Sequence, residues 1–217
     1  MFTLGSNPSA PKPRRILCLG AHSDDIEIGC GGTILQLIED DPELQFHWVV
    51  FGATGARQAE AIASAHSFLR EAKHKTVQVE GFKDGFFPYV GAEIKAAFEQ
   101  LKQTVSPDLI LTHYRQDLHQ DHQVVANLTW NTFRNHPILE YEIPKYDGDM
   151  GSPNVFMPLT TSIQQQKIDH LMQHFSTQSN KHWFTAETFR AILRLRGIES
   201  NHQYAEAFYG RKLVLSI

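Results

Sequence analysis

Residues 16–39 read ILCLGAHSDDIEIGCGGTILQLIE, and the change of rhythm within them decides the fold. Ile16-Leu17-Cys18-Leu19-Gly20 is a short apolar run closing on glycine, the pattern of a buried strand. From Gly31 to Glu39 the apolar residues fall instead at helical spacing, through Ile34, Leu37 and Ile38. The stretch therefore reads strand, loop, helix. The alternation returns downstream: Phe46 to Phe51 as strand, Ala56 to Leu69 as an alanine-rich helix, Thr76 to Val79 as strand, Ala92 to Val105 as helix, and Leu109 to Thr112 as another buried strand. Such alternation implies βαβ units, whose right-handed crossovers put the strands in a mostly parallel sheet covered on both faces. The predicted class is α/β, a Rossmann-like three-layer sandwich. Beyond Asn135 the pattern loosens, with strands expected near Leu139 to Ile143 and Val155 to Leu159 and helices near Ser162 to His174 and Ala186 to Leu195.

With 217 residues, 41% hydrophobic and 20% charged, the chain is long enough for a real core and too short to need two. Residues 14–217 are therefore expected to form one domain. Residues 1–13, which carry three prolines, two serines and no apolar run, read as a flexible N-terminal tail rather than a signal peptide. Twenty Lys+Arg against 24 Asp+Glu give a net charge of −4 without a long run of either sign. That argues against nucleic acid as a partner and for a small molecule. Two cysteines, Cys18 in the apolar run and Cys30 among glycines, make no disulfide framework and suit a reducing compartment. No stretch approaches about 18 apolar residues, so the expectation is a cytoplasmic protein without membrane insertion. Whether it forms a homo-oligomer is left open.

Open parallel sheets bind ligands beyond the carboxyl ends of their strands, and two loops at such positions carry unusual chemistry. The first is Ala21-His22-Ser23-Asp24-Asp25. Taken singly these residues have ordinary readings, as helix caps, turn residues and a surface histidine. Taken together they do not. Adjacent carboxylates repel, and keeping both beside a histidine makes sense where a cation neutralises at least one. Imidazole with carboxylate suits zinc and also fits iron, manganese or cobalt. Neighbouring loop side chains diverge, so one Asp can ligate while the other acts as base. A dinucleotide site is disfavoured because G-x-G-x-x-G is missing and the carboxylates would repel phosphate. Nucleophilic catalysis by Ser23 or Cys30 is disfavoured because no G-x-S-x-G elbow is present.

The second loop is His113-Tyr114-Arg115-Gln116-Asp117-Leu118-His119-Gln120-Asp121-His122, leading into a helix expected from Val124 to Phe133. His119 and His122 are three residues apart and share a face at a helix start. Asp117 and Asp121 are close enough to orient an imidazole through its second N–H. A catalytic zinc takes three protein ligands and leaves one position open. His22, Asp25 and one of His119 or His122 would supply that set, with the other histidine and Asp24 free for proton transfer. His113, at a strand end, reads as a packed residue before an extra ligand.

These two segments resemble the PIG-L/LmbE-like family of metal-dependent N-deacetylases, which includes the GlcNAc-phosphatidylinositol de-N-acetylases. The family's A/P-H-P-D-D-E and G-C-G-G-T elements are matched by Ala21-His22-Ser23-Asp24-Asp25 and Gly29-Cys30-Gly31-Gly32-Thr33, and its H-x-D-H by His119-Gln120-Asp121-His122. The likeness runs from about Arg14 to Tyr204-Ala205-Glu206-Ala207-Phe208, similar to a Y/F-A-E-A-F element of the family. It implies His22, Asp25 and His122 as metal ligands, Zn2+ as cofactor with Fe2+, Mn2+ or Co2+ as alternatives, Asp24 as general base, and His119 as the group that assists the tetrahedral intermediate. Thr54-Gly55-Ala56-Arg57 implies Arg57 as a substrate contact. Two positions depart from the pattern: Ser23 stands for the usual proline, and Ile26 for the usual glutamate, with Glu27 one residue later.

The implied reaction is hydrolysis of an N-acyl, in the first place acetyl, group on an amino-sugar or sugar-nucleotide-like substrate. Zinc would make water nucleophilic near neutral pH, Asp24 would take its proton and pass it to the amine, and His119, kept protonated by Asp121, would donate to the oxyanion. Arg190, Arg194 and Arg196 meet a helix C-terminus, with a phosphate handle as their functional alternative. Phe86, Phe87 and Tyr89 could line a sugar site or simply pack. Two other classes stay open on the residues alone: a metal-dependent phosphoesterase, and a metal-free small-molecule binding module.

Overall fold

The structure, a computed structural model, describes residues 14–212; the tail expected over residues 1–13 lies outside the described residues. The elements run β1 (Arg15–His22), α1 (Asp25–Asp40), β2 (Gln45–Gly52), α2 (Ala56–Phe68), β3 (His74–Val79), α3 (Gly91–Thr104), β4 (Leu109–His113), α4 (Gln120–Thr132), β5 (Ile138–Tyr141), β6 (Val155–Leu159), α5 (Thr161–His174), α6 (Ala186–Glu199) and β7 (Tyr204–Gly210). Single 3-10 turns occur at Phe87–Tyr89 and Ser176–Gln178.

Seven strands form one sheet in the order β3-β2-β1-β4-β5-β7-β6. The first five are mutually parallel, and β7 is antiparallel to both β5 and β6. Side chains alternate across the pleat. Ile16 and Cys18 on β1 accordingly join a core with α1, α2, α5 and α6, whereas Leu17, Leu19 and Ala21 join one with α3 and α4. Helices thus cover both faces, and the architecture is the Rossmann-like three-layer sandwich. No helix among the described residues is long and apolar enough to cross a membrane.

Three elements differ from the sequence reading. The helix expected from Val124 begins at Gln120, because His119 caps it: its Nδ1 accepts the Asp121 N–H at 3.2 Å. Tyr204–Gly210, read only as a motif, is a strand inserted antiparallel between β5 and β6. Helix α1 starts at Asp25 rather than Gly31 and is broken at Cys30, with φ −144° and ψ 15°.

The break in α1 has identifiable partners. A helix interruption leaves unpaired carbonyls on one side and unpaired N–H groups on the other. Here the Glu206 carboxylate accepts the Gly32 and Thr33 N–H groups, both at 2.7 Å, and the Lys167 ammonium donates to the Ile28 carbonyl at 2.6 Å. Lys167 and Glu206 also pair with each other at 2.5 Å, both side chains 2% exposed. Glycine is required here by close approach: a Cβ at Gly29 would lie 2.1 Å from the Tyr141 ring, and one at Gly32 2.9 Å from the Glu206 carboxylate.

Candidate functional site

The strand order reverses at β1. The chain moves from β1 to β2 and β3 on one side, then returns to lay β4 on the other. Such a switch point leaves a crevice at the carboxyl edge, and both motif loops emerge there. The ladder itself stops short. β1 pairs with β2 as far as His22↔Gly52, but with β4 only over Ile16↔Leu109, Leu17↔Ile110 and Cys18↔Leu111. Above that point, buried backbone groups of β1 still need partners. Side chains supply them: the Ala21 N–H donates to His113 Nε2 at 2.9 Å, and the Tyr141 hydroxyl donates to the Leu19 carbonyl at 2.6 Å. The strands splay, and the gap is filled with imidazoles and carboxylates.

Three residues converge in this gap, Asp25 offering a different carboxylate oxygen to each histidine. His22 Nδ1 lies 3.2 Å from His122 Nε2 and 3.4 Å from Asp25 Oδ2, and His122 Nε2 lies 3.5 Å from Asp25 Oδ1. Donors about 2.0–2.1 Å from a tetrahedral zinc ion stand roughly 3.3–3.4 Å apart, so the separations within this triangle of residues are of the size that a small divalent cation needs. The outer atoms are oriented too. Asp117 Oδ2 accepts from His122 Nδ1 at 2.9 Å, and Asp121 Oδ2 lies 3.1 Å from His22 Nε2. Carboxylates behind imidazoles in this way fix ring and tautomer of a ligating histidine. Two further His/Asp groups overlap the triangle: His22, Asp84 and His119, and His113, Asp117 and His122.

The electrostatics are those of a site short of positive charge. Burial disfavours a charged imidazole at His22, but Asp25, Asp121 and Asp84 outweigh it and hold the ring well above its usual pKa. His122 is raised against burial by Asp25 and Asp117. Burial would raise Asp25, yet His122, His113 and His22 take it well below the usual carboxylate value.

Asp24 faces a different partner. Its Oδ1 accepts from Arg57 Nη2 at 2.7 Å, and Arg57 Nε donates to Ser23 Oγ at 2.8 Å. Burial, only partly offset by Arg57, raises the Asp24 pKa, in the direction that suits a proton acceptor working near neutrality. His119 differs from expectation. The Asp121 side chain does not reach it, being engaged by His22, by the Gly85 N–H at 2.6 Å and by the Phe87 N–H at 3.1 Å. With burial as the largest cause, the His119 pKa is lowered. Its Nδ1 accepts a backbone N–H, so the neutral ring carries its proton on Nε2. His113 is buried and held neutral, its pKa lowered to about 4 by burial and by His122.

These groups open on a cavity of about 230 Å³. Its near wall holds His22, Asp24, Asp25, Arg57, His119 and His122; its far wall comes from the loops around Lys145, Tyr146, Lys181 and Trp183, which carry no motif. Asp84 was also missed. Its carboxylate stands 3.1 Å from His22 Nε2, which takes its pKa down to about 2; the Asp84-Gly85 pair reads locally as a plain turn. Glu27, one residue past the motif's glutamate position, does not line the cavity. It is buried between α1 and α2, accepts from Ser64 Oγ at 2.5 Å, and is raised by burial. Phe87 packs in the core, while Phe86 and Tyr89 are exposed outside the cavity. Arg196 is bound to Glu142 and Glu199, and neither it, Arg190 nor Arg194 reaches the cavity. Both cysteines are buried and free, and burial pushes their thiols up, against a nucleophilic role.

The chain matches known proteins in both sequence and fold. Residues 17–133 match the family profile described as PIG-L, GlcNAc-PI de-N-acetylase. The Escherichia coli (strain K12) protein YaiS, described as an uncharacterized deacetylase, is 30% identical over 178 residues, 77% of this chain and 94% of YaiS. Among solved structures, the N,N'-diacetylchitobiose deacetylase of Pyrococcus horikoshii superposes with a TM-score of 0.68 at 20% identity, covering 91% of this chain and 83% of that one. GalB of Pseudomonas putida KT2440, a 4-carboxy-2-hydroxymuconate hydratase, does so with 0.68 at 18%, covering 94% and 98%. At such identities the two structures speak for the fold, while the profile match extends over more than half the chain. By that match the chain belongs to the PIG-L, or GlcNAc-PI de-N-acetylase, family.

Proposed function

We propose that this protein hydrolyses an N-acyl, in the first place N-acetyl, group on an amino-sugar or sugar-nucleotide-like small molecule, with a divalent cation held by His22, Asp25 and His122. The observation that carries the reading is the convergence of His22, His122 and Asp25, with the imidazole nitrogens 3.2 Å apart and each within 3.4–3.5 Å of an Asp25 oxygen, beside a carboxylate that is not part of the set. Zn2+ suits two imidazoles and a carboxylate, and Fe2+, Mn2+ or Co2+ fit the same donors. When bound, the ion supplies Lewis acidity, which makes water nucleophilic near neutral pH and polarises the acyl carbonyl.

The chain's own residues do the rest. Asp24 accepts the proton of the attacking water and delivers it to the departing amine, a task worth roughly 10²–10⁴-fold. His119 donates from Nε2 to the carbonyl oxygen as charge develops there. It does so as a neutral imidazole. Asp121 acts on His22, holding its ring from behind, and Asp117 does the same for His122. Arg57, which keeps Asp24 in place, offers its remaining N–H groups to the substrate. Trp183 and Lys181 on the far wall give a ring-shaped polar substrate an aromatic face and a donor. The P. horikoshii deacetylase, named for a diacetylated disaccharide, supports the sugar class.

The test is release of free amine from a panel of N-acetylated sugars, nucleotide sugars and simple amides by purified protein with one added equivalent of each metal in turn. Turnover of N-acetylated sugars that disappears with chelator is the expected result. Hydrolysis of phosphate esters, with no N-acyl substrate turned over, would end the proposal.

A further inference from the structure

Resting on that reading, we propose that Ser23 is a positioning residue: its hydroxyl locks the Arg57 guanidinium in one rotation, and Arg57 in turn fixes Asp24 toward the reacting centre and its own free N–H groups toward substrate. Ser23 is fully buried, and its Oγ accepts the Arg57 Nε–H at 2.8 Å while Arg57 Nη2 holds Asp24 at 2.7 Å. The guanidinium is planar, with five N–H donors in a fixed fork. One contact to Asp24 would leave that plane free to turn about the hydrogen bond; a second contact, through a different nitrogen, removes the freedom. The other N–H groups have no acceptor among the described residues, and Arg57 lines the cavity. An alanine or a proline at position 23 offers no acceptor there. The departure from the family motif at Ser23 is thus matched by a contact that the usual proline cannot make.

Since His22 and Asp25 flank Ser23, the experiment must separate orientation of Arg57 from retention of metal. A double-mutant cycle does this, with N,N'-diacetylchitobiose as probe and the protein loaded with one equivalent of zinc. Ser23→Ala is expected to keep its metal and lose roughly tenfold in kcat/KM, the scale of a hydrogen bond to a charged group. In the Arg57→Ala background the same change should cost less than about twofold, because the partner through which Ser23 acts is gone. Ser23→Thr, which keeps the hydroxyl, should restore activity; if its extra methyl is not accommodated, the cycle decides alone. An equal loss from Ser23→Ala with and without Arg57, or loss of metal in step with activity, overturns the proposal. A second readout needs no substrate: exchange of the Arg57 Nε–H with solvent, followed by NMR, should quicken by about tenfold or more in Ser23→Ala, and an unchanged rate overturns it. If the wild-type protein deacetylates no sugar, the functional reading fails while this exchange measurement still decides the clamp.

Discussion

Asp24 and Asp25 are neighbours in sequence with opposite surroundings, since one side chain meets Arg57 and the other meets three histidines. The proposed roles make this a sharp contrast by mutation. Asp25→Ala removes a donor from the triangle and should leave a folded protein that no longer retains metal. Asp24→Asn preserves size and should keep metal near stoichiometry, while kcat falls by roughly 10²-fold or more and the acidic limb of kcat/KM disappears with the base. Metal analysis alongside initial rates checks both; joint loss of metal and activity in Asp24→Asn would make Asp24 a ligand. His119→Ala should also keep its metal and cost about 2–4 kcal/mol in transition-state stabilisation, read from kcat/KM. At this scale the sequence was informative where residue type limits chemistry, as in two carboxylates beside a histidine. It was silent where direction matters. Asp121 turns to His22 rather than His119 because the Gly85 and Phe87 N–H groups hold it there, and those come from a loop more than thirty residues away.

Helix α1 shows the same limit at the next level. Its glycines read as a turn, and a local reading has no reason to carry a helix through them. The structure does so because Lys167 and Glu206, from α5 and β7, satisfy the two ends of the break. The first half of α1 carries Asp25 at its start, so the pair also sets where a proposed ligand sits. Lys167→Met would leave the Glu206 carboxylate buried with two backbone donors and no counter-charge. Removing one partner of a buried pair costs on the order of 3–5 kcal/mol, and urea denaturation should register a loss of that size. Strand β7 escaped notice for a related reason: its register is set by β5 and β6, which precede it by dozens of residues. The parallel strands β1 to β4, by contrast, are short apolar runs that alternate with helices along the chain and were legible from that alternation.

Across the whole molecule, the three proposed ligands arrive from two units, β1–α1 and β4–α4, that are anchored in the sheet independently of any ion. Chelation should therefore leave the far-UV circular dichroism unchanged and lower only Tm, and re-addition of metal should restore it. A cation at 1,000 times its Kd contributes roughly 4 kcal/mol. One metal per chain is the expected stoichiometry; two would favour the phosphoesterase alternative, whose ions commonly stand about 3.5–4 Å apart. The early end of the β1–β4 ladder carries a last implication, for motion. A sheet whose backbone bonds run to the strand ends frays residue by residue from the edge, and its amides become accessible in that order. Here the Ala21 amide is held by an imidazole and the Leu19 carbonyl by a phenol. Above Cys18 the seam between the two strands is thus fastened by side chains from β4 and β5 in place of a backbone ladder, as a latch rather than a zip fastener, and the Ala21 amide becomes a spectroscopic reporter of whether that latch is shut.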